Sequence, residues 1–186
     1  VAFIGLILVR ITGVRLSGPT IAAVFTLFGF GLFGKTPLNV TPVLLGVFVS
    51  AKLAGKKFSE YILIALFGTA LAPLVSLVGW ELGLHAAIGI PGAIAAGLVA
   101  GIVLPPLALA MLRLHQGYSL YNIGLTTGFF ALFAAAVIFG GRDQLAGGGL
   151  WNTEPTLLLQ LLVPATSVVL VIGGLLTGGL QSAKSF

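Results

Sequence analysis

An all-α integral membrane protein is the architecture this sequence predicts, with four long transmembrane helices and two short, re-entrant or half-spanning ones. Three observations carry that expectation. Hydrophobic residues make up 58% of the 186-residue chain and charged residues only 7%, against about 25% charged in a soluble domain, and the mean hydropathy is +1.17. Apolar runs of bilayer-crossing length recur along the chain. The basic residues also gather on one side of the loops that these runs define. Cysteine is absent, which excludes disulfides, thiolate metal sites and cysteine nucleophiles.

Taken in order, the first run, "VAFIGLILV", is too short to span. It has neither the basic leader nor the small-residue cleavage site of a signal peptide. Since the chain opens without methionine, the expectation is a single transmembrane domain over 1–186 that is a fragment, or one repeat, of a larger protein. Segments 19–33 and 39–54 hold about 15 residues each, roughly 22 Å as helix, less than the ~30 Å hydrocarbon core. They form a re-entrant hairpin or two short tilted crossings. Segments 58–79, 88–112, 118–140 and 155–181 are each long enough to cross.

Threading these crossings puts Arg10, Arg15, Lys52, Lys56, Lys57, Arg113 and Lys184 on one side and Arg142 alone on the other. Short cytoplasmic loops carry such an excess, so the Lys52 to Lys57 side is expected in the cytoplasm of a multi-pass protein of the cell membrane. Glu81, His85 and the loop 142–154, with Trp151 as an interfacial anchor, then face outward. The formal charge of +5 suits anionic lipid headgroups and points to no nucleic acid partner. No phosphate loop, zinc-type histidine pair or nucleophile elbow occurs, so neither a metal, a cofactor nor enzymatic chemistry is expected. The glycine-rich "GAIAAGLVAG", 92–101, reads as a helix-packing surface.

Three polar groups interrupt the apolar runs. "GKTPLNVTP", 34–42, places Lys35, Thr36, Asn39 and Thr41 between the two short segments. Asn39 is suited to start the second of them. Non-helical backbone at membrane depth must be buried in protein or face a watery cavity, so this turn is either a membrane-embedded tip or an ordinary surface turn. "FGTALAPLVS", 67–76, puts Pro73 four residues after Thr69, which should free the Thr69 carbonyl. That is a component of a solute path or a simple structural kink. In "LHQGYSLYNIGLTTGFF", 114–130, Gly117 ends one helix, and Ser119, Tyr121, Asn122 and Thr126 enter the next. Ser119, Asn122 and Thr126 share a face. That stripe lines a path or supplies interhelical hydrogen bonds.

On these residues the chain resembles the urea transporters. "GYSLYNIGLTTG" is similar to their Gly, aromatic-Asn and small-residue signature, at Gly117, Tyr121, Asn122, Leu125 and Gly128. "ALFGTALAPLVS" is similar to their Leu-Gly-Thr helix, and "GKTPLNVTPVLLGVF" occupies the place of their half-helix entrance. The pattern over 30–130 looks closer still to an uncharacterised bacterial multi-spanning membrane family of unknown function. The resemblance implies one half of a channel built from two inverted halves, commonly assembled as an oligomer. The proline-rich urea-site motif is not cleanly present and 88–112 is an insertion, so urea itself is not implied.

The expected function is a channel or transporter for a small polar, neutral solute. The expected partners are the solute, the bilayer, and a second inverted half or further copies of the chain. Lys35, Thr36, Asn39, Thr41, Thr69, Pro73, Ser119, Tyr121, Asn122 and Thr126 form the expected path, with Asn39, Thr69 and Asn122 converging on one cavity. No long helix has an acidic residue near its centre, which favours a passive channel over a proton-coupled transporter. The alternative is a non-transporting membrane scaffold or assembly subunit.

Overall fold

The computed structural model describes residues 1–119, 121–140 and 156–176. Arg142, the loop 142–154 with Trp151, and Lys184 lie outside them. The chain divides into two compact units, Val1–Arg142 and Asp143–Phe186. Among the described residues every regular element is helical. The first unit contains α1 (Ala2–Thr12), α2 (Gly18–Gly31), α3 (Pro37–Leu53), α4 (Phe58–Glu81), α5 (Ala86–His115) and α6 (Asn122–Phe139). The second contains α7 (Leu157–Leu176).

Local chemistry sets the helix ends. α2 starts at Ser17, whose backbone N–H donates to the Thr20 hydroxyl at 2.7 Å, with Pro19 in the first turn. α3 starts at Thr36 with a proline in its first turn and a reciprocal pair of Thr36–Asn39 bonds, which satisfies donors that a helix start leaves orphaned. Asn39 therefore sits inside the first turn as the far partner of the cap. α5 ends at Gln116, whose φ of 50° is left-handed, followed by Gly117 at 87°; the chain break expected there is supplied by both residues.

Three described helices, α4, α5 and α6, are long and apolar enough to cross a membrane. The expectation was four. The fourth segment, 155–181, runs beyond the described residues on both sides, and what is described of it is α7. α1, α2 and α3 are shorter apolar helices.

α4 is irregular along its length. Tight turns at Phe58–Tyr61 and Thr69–Leu71 and a widened last turn at Leu77–Glu81 interrupt it. Pro73 has no N–H to offer the Thr69 carbonyl, but the chain tightens and the Ala72 N–H takes that carbonyl instead. The acceptor expected to be freed by Pro73 is thus already paired.

α3 occupies the centre of the first unit, with Val40, Val43 and Val47 all fully buried. It runs alongside α5 at glycine-to-glycine distance: a Cβ on Gly101 would lie 2.8 Å from the Gly46 Cα, and one on Gly97 would lie 2.9 Å from Val75 of α4. The 92–101 stretch packs helices, as its glycines suggest. On α6, Leu125, Phe129, Leu132, Phe133 and Val137 are exposed, an apolar surface suited to lipid or to another membrane helix.

The ends of the helices can be placed relative to one another. Val14 and Phe58 both pack against the cluster of Val9, Leu27, Ile62 and Leu66, so the Arg10–Arg15 and Lys52–Lys57 turns lie at one end. Gly68 meets Leu104 and Gly79 meets Ala93, so α5 runs antiparallel to α4 and carries Arg113 to that same end.

Candidate functional site

Lys35 lies in the turn between α2 and α3, yet it is only 8% exposed. Its Nζ donates to the Thr69 hydroxyl at 3.0 Å and stands 4.7 Å from the centroid of the Phe30 ring. Thr69 is fully buried and donates its own proton to the Leu66 carbonyl at 2.6 Å. With the threonine proton spent there, its oxygen acts towards lysine as acceptor. Thr69 falls midway along the 24 residues of α4. The α2–α3 turn is therefore folded in against the middle of a helix of spanning length. Among the described residues the one ion pair is the exposed Lys56–Glu60 contact; Lys35 has no carboxylate partner.

Asn39, 4% exposed, is fully engaged. Its Oδ1 accepts from the Thr36 N–H at 2.8 Å, and its Nδ2 donates to the Gly34 carbonyl at 3.1 Å and to the Ser76 hydroxyl at 3.0 Å. The amide ties the tip of the turn to α4 a little less than two helical turns beyond Thr69.

Between these two attachments lies a cavity of about 210 Å³, lined by Phe30, Phe33, Gly34, Lys35, Asn39, Ala70, Ala72, Pro73, Ser76 and Glu81. Of this lining, Phe30, Phe33, Gly34, Pro73 and Glu81 are exposed, whereas Lys35, Asn39 and Ala72 are buried. Beyond Thr69, towards Phe58, the interior is dry: Ile62, Leu66, Leu27 and Val9 form one buried cluster, and Ala65, Val40, Leu44 and Val47 another. The cavity is a vestibule with a blind, apolar floor.

The ten expected path residues divide accordingly. Lys35, Asn39 and Pro73 line the vestibule, and Thr69 supports Lys35 from behind. Thr36 is an exposed helix cap, and Thr41 is exposed and bonds the Pro37 carbonyl at 2.6 Å. The third constellation is elsewhere. Asn122 donates to the Ala108 carbonyl of α5 at 2.9 Å, and its Oδ1 is 2.8 Å from His115 Nε2. His115 Nδ1 accepts the Gly117 and Ser119 backbone N–H groups, which leaves Nε2 as the donor to Asn122. Thr126, fully buried, bonds the Asn122 carbonyl, and Tyr121 stacks edge-on against Phe67. Asn122 is not among the residues lining the vestibule. The single cavity shared by Asn39, Thr69 and Asn122 is not what forms: Asn122 fastens α6 to α5.

Ser76, Phe30, Phe33 and Glu81 are lining residues that the motif reading passed over. Ser76 could have been found, since it stands seven residues after Thr69 and hence on the same helix face. Phe30, Phe33 and Glu81 carry no local signal, because only the folding back of the turn brings them together. Among the described residues no three His, Asp or Glu side chains group as metal ligands.

Three packed helices of spanning length and a polar vestibule between apolar walls are the features of a multi-pass helical membrane protein. The chain belongs to a family described as a protein of unknown function (DUF1576), whose model matches residues 1–139. No curated protein and no solved structure matches the chain. The expected uncharacterised family is met at this level, while the likeness to urea transporters has no match beneath it.

Proposed function

We propose that the protein is a channel or transporter for a small polar solute in the cell membrane, and not an enzyme. In this reading the Lys35–Asn39 turn is the membrane-embedded tip of a re-entrant α2–α3 hairpin. The observation that carries it is the Lys35–Thr69 bond. From Thr69 to either end of α4 is about 11 or 12 residues, roughly 17 Å at 1.5 Å per residue, and half of a ~30 Å hydrocarbon core is about 15 Å. A lysine bonded at that depth needs a polar, water-reachable space. The vestibule supplies it, opening at the Glu81 end.

The blind floor fits a conduit in a closed state, or one completed by a second inverted half or by further copies of the chain. The short half-helices meeting a broken helix are the features shared with the urea-transporter plan, and they support that kinship as architecture only. The Lys52–Lys57 end is cytoplasmic in this reading, since the described basic turns at 10–15 and 52–57 lie at one end with Arg113. The scaffold alternative draws on Asn122, whose side-chain bonds run to α5.

Flux through proteoliposomes decides between the two. A panel of urea, acetamide, acetate and glycine is followed by stopped-flow light scattering. Uptake of at least one solute above empty vesicles, reduced tenfold or more by Asn39→Leu in a variant that keeps its helical content, is the expected result. Uptake no faster than in empty vesicles for the whole panel would overturn the conduit and leave the scaffold.

A further inference from the structure

We propose that the vestibule binds a small oxyanion of the size of a monocarboxylate, held by Lys35 and Ser76. This deepens the conduit reading, on which it rests for the route of access, and it replaces the neutral solute expected from the sequence with a charged one.

Around Lys35, Asn39 and Ser76 the cavity presents donors in excess of unengaged acceptors. Each acceptor there already receives one N–H. The Thr69 oxygen receives Lys35, Asn39 Oδ1 receives the Thr36 N–H, and the Gly34 carbonyl receives Asn39 Nδ2. Ser76 Oγ also receives Asn39 Nδ2, so its own O–H is the group left to point elsewhere. An ammonium has three N–H donors and a hydroxyl one. With one lysine donor on Thr69, what remains towards the cavity is two N–H of Lys35 and the O–H of Ser76. Asn39 is locked in this orientation from both ends, so its amide cannot turn to offer oxygen.

A neutral amide or urea would bring N–H groups that find no unengaged acceptor around Lys35 and Asn39, and each buried donor left unpaired costs about 1–3 kcal/mol. An oxyanion brings acceptors only. It would also give Lys35 the counter-charge that no described residue supplies within ion-pair distance, and a charge-assisted bond is roughly twice as strong as a neutral one. The volume of about 210 Å³ is enough for such a guest, since a cavity of about 150 Å³ can take benzene. Glu81, which is exposed, lines the same cavity. Its charge opposes an entering anion and gives the test a second sign.

Isothermal titration of the purified protein in nanodiscs, at equal ionic strength, compares acetate with acetamide, which has the same shape and no charge. Acetate binding at least tenfold tighter than acetamide is expected. Lys35→Met should abolish that preference, Ser76→Ala should weaken acetate severalfold, and Glu81→Gln should tighten it. Ser76 is only partly buried, so its variant keeps the test open if Lys35→Met does not fold. Equal binding of acetate and acetamide, or an acetate preference that survives in Lys35→Met, would overturn the assignment. So would glycine binding more tightly than acetate and losing that advantage in Glu81→Gln, which would make the ligand a zwitterion. Acetate binding without flux in vesicles would remove the conduit and leave this site standing; flux of neutral solutes without acetate preference would do the reverse.

Discussion

Asn122 shows how one side chain can be read correctly as important and incorrectly as to role. Its position four residues before Thr126 marks a polar stripe, but a stripe can face a cavity or a neighbouring helix. The bonds to the Ala108 carbonyl and to His115 choose the neighbour. Hydrogen bonds between membrane helices are worth roughly 0.6–2 kcal/mol each. Asn122→Leu is therefore expected to lower unfolding stability in micelles by about 1–3 kcal/mol, measured by denaturant titration, and to leave solute binding at the vestibule unchanged. Loss of binding with stability intact would restore Asn122 to the solute path. Asn39 differs because its bonds hold the tip of the turn against α4, next to the cavity itself.

Among the helices, α3 and α5 depend on a backbone contact that leaves no room for a side chain. A Cβ on Gly101 would lie 2.8 Å from both the Gly46 Cα and the Val47 nitrogen, and backbone cannot swing away as a long side chain can. Overpacking of this kind typically costs 1–3 kcal/mol. Gly101→Ala is expected to lower the thermal midpoint of the purified protein by several degrees, whereas Gly128→Ala, where an added Cβ meets no atom within 4 Å, should leave it unchanged. Equal midpoints for the two variants would mean that the close approach of α3 and α5 does not matter to stability. The small residues in 92–101 made a packing surface legible. Which glycine meets which partner was not, because that depends on the crossing of two helices far apart in sequence.

Across the chain, the direction of the bundle is the part with the widest consequences. α4 is long and apolar enough to cross between the Lys56–Lys57 turn and the Glu81–His85 turn, so on the proposed topology single cysteines at Lys56 and at Leu84 should label from opposite sides of the membrane, with Lys56 cytoplasmic. Labelling of both from one side would remove the crossing. Labelling of Leu84 from the cytoplasm would invert the protein and turn the mouth of the vestibule inward.

Composition and run length were enough to establish an all-helical, membrane-type chain and to locate its helices to within a few residues, because helix length against bilayer thickness is a local, one-dimensional quantity. The start of α3 is read three residues late from the sequence, with Asn39 as the cap, whereas Thr36 is the cap and Asn39 its reciprocal partner within the first turn. The vestibule is different in kind. It exists because the α2–α3 turn folds back against the middle of α4, bringing Lys35 to Thr69 across 34 positions of sequence and Asn39 to Ser76 across 37. No periodicity encodes such pairings. They arise from the packing of α3 between α4 and α5, while it is the separate docking of α6 on α5 that takes Asn122 to a helix contact.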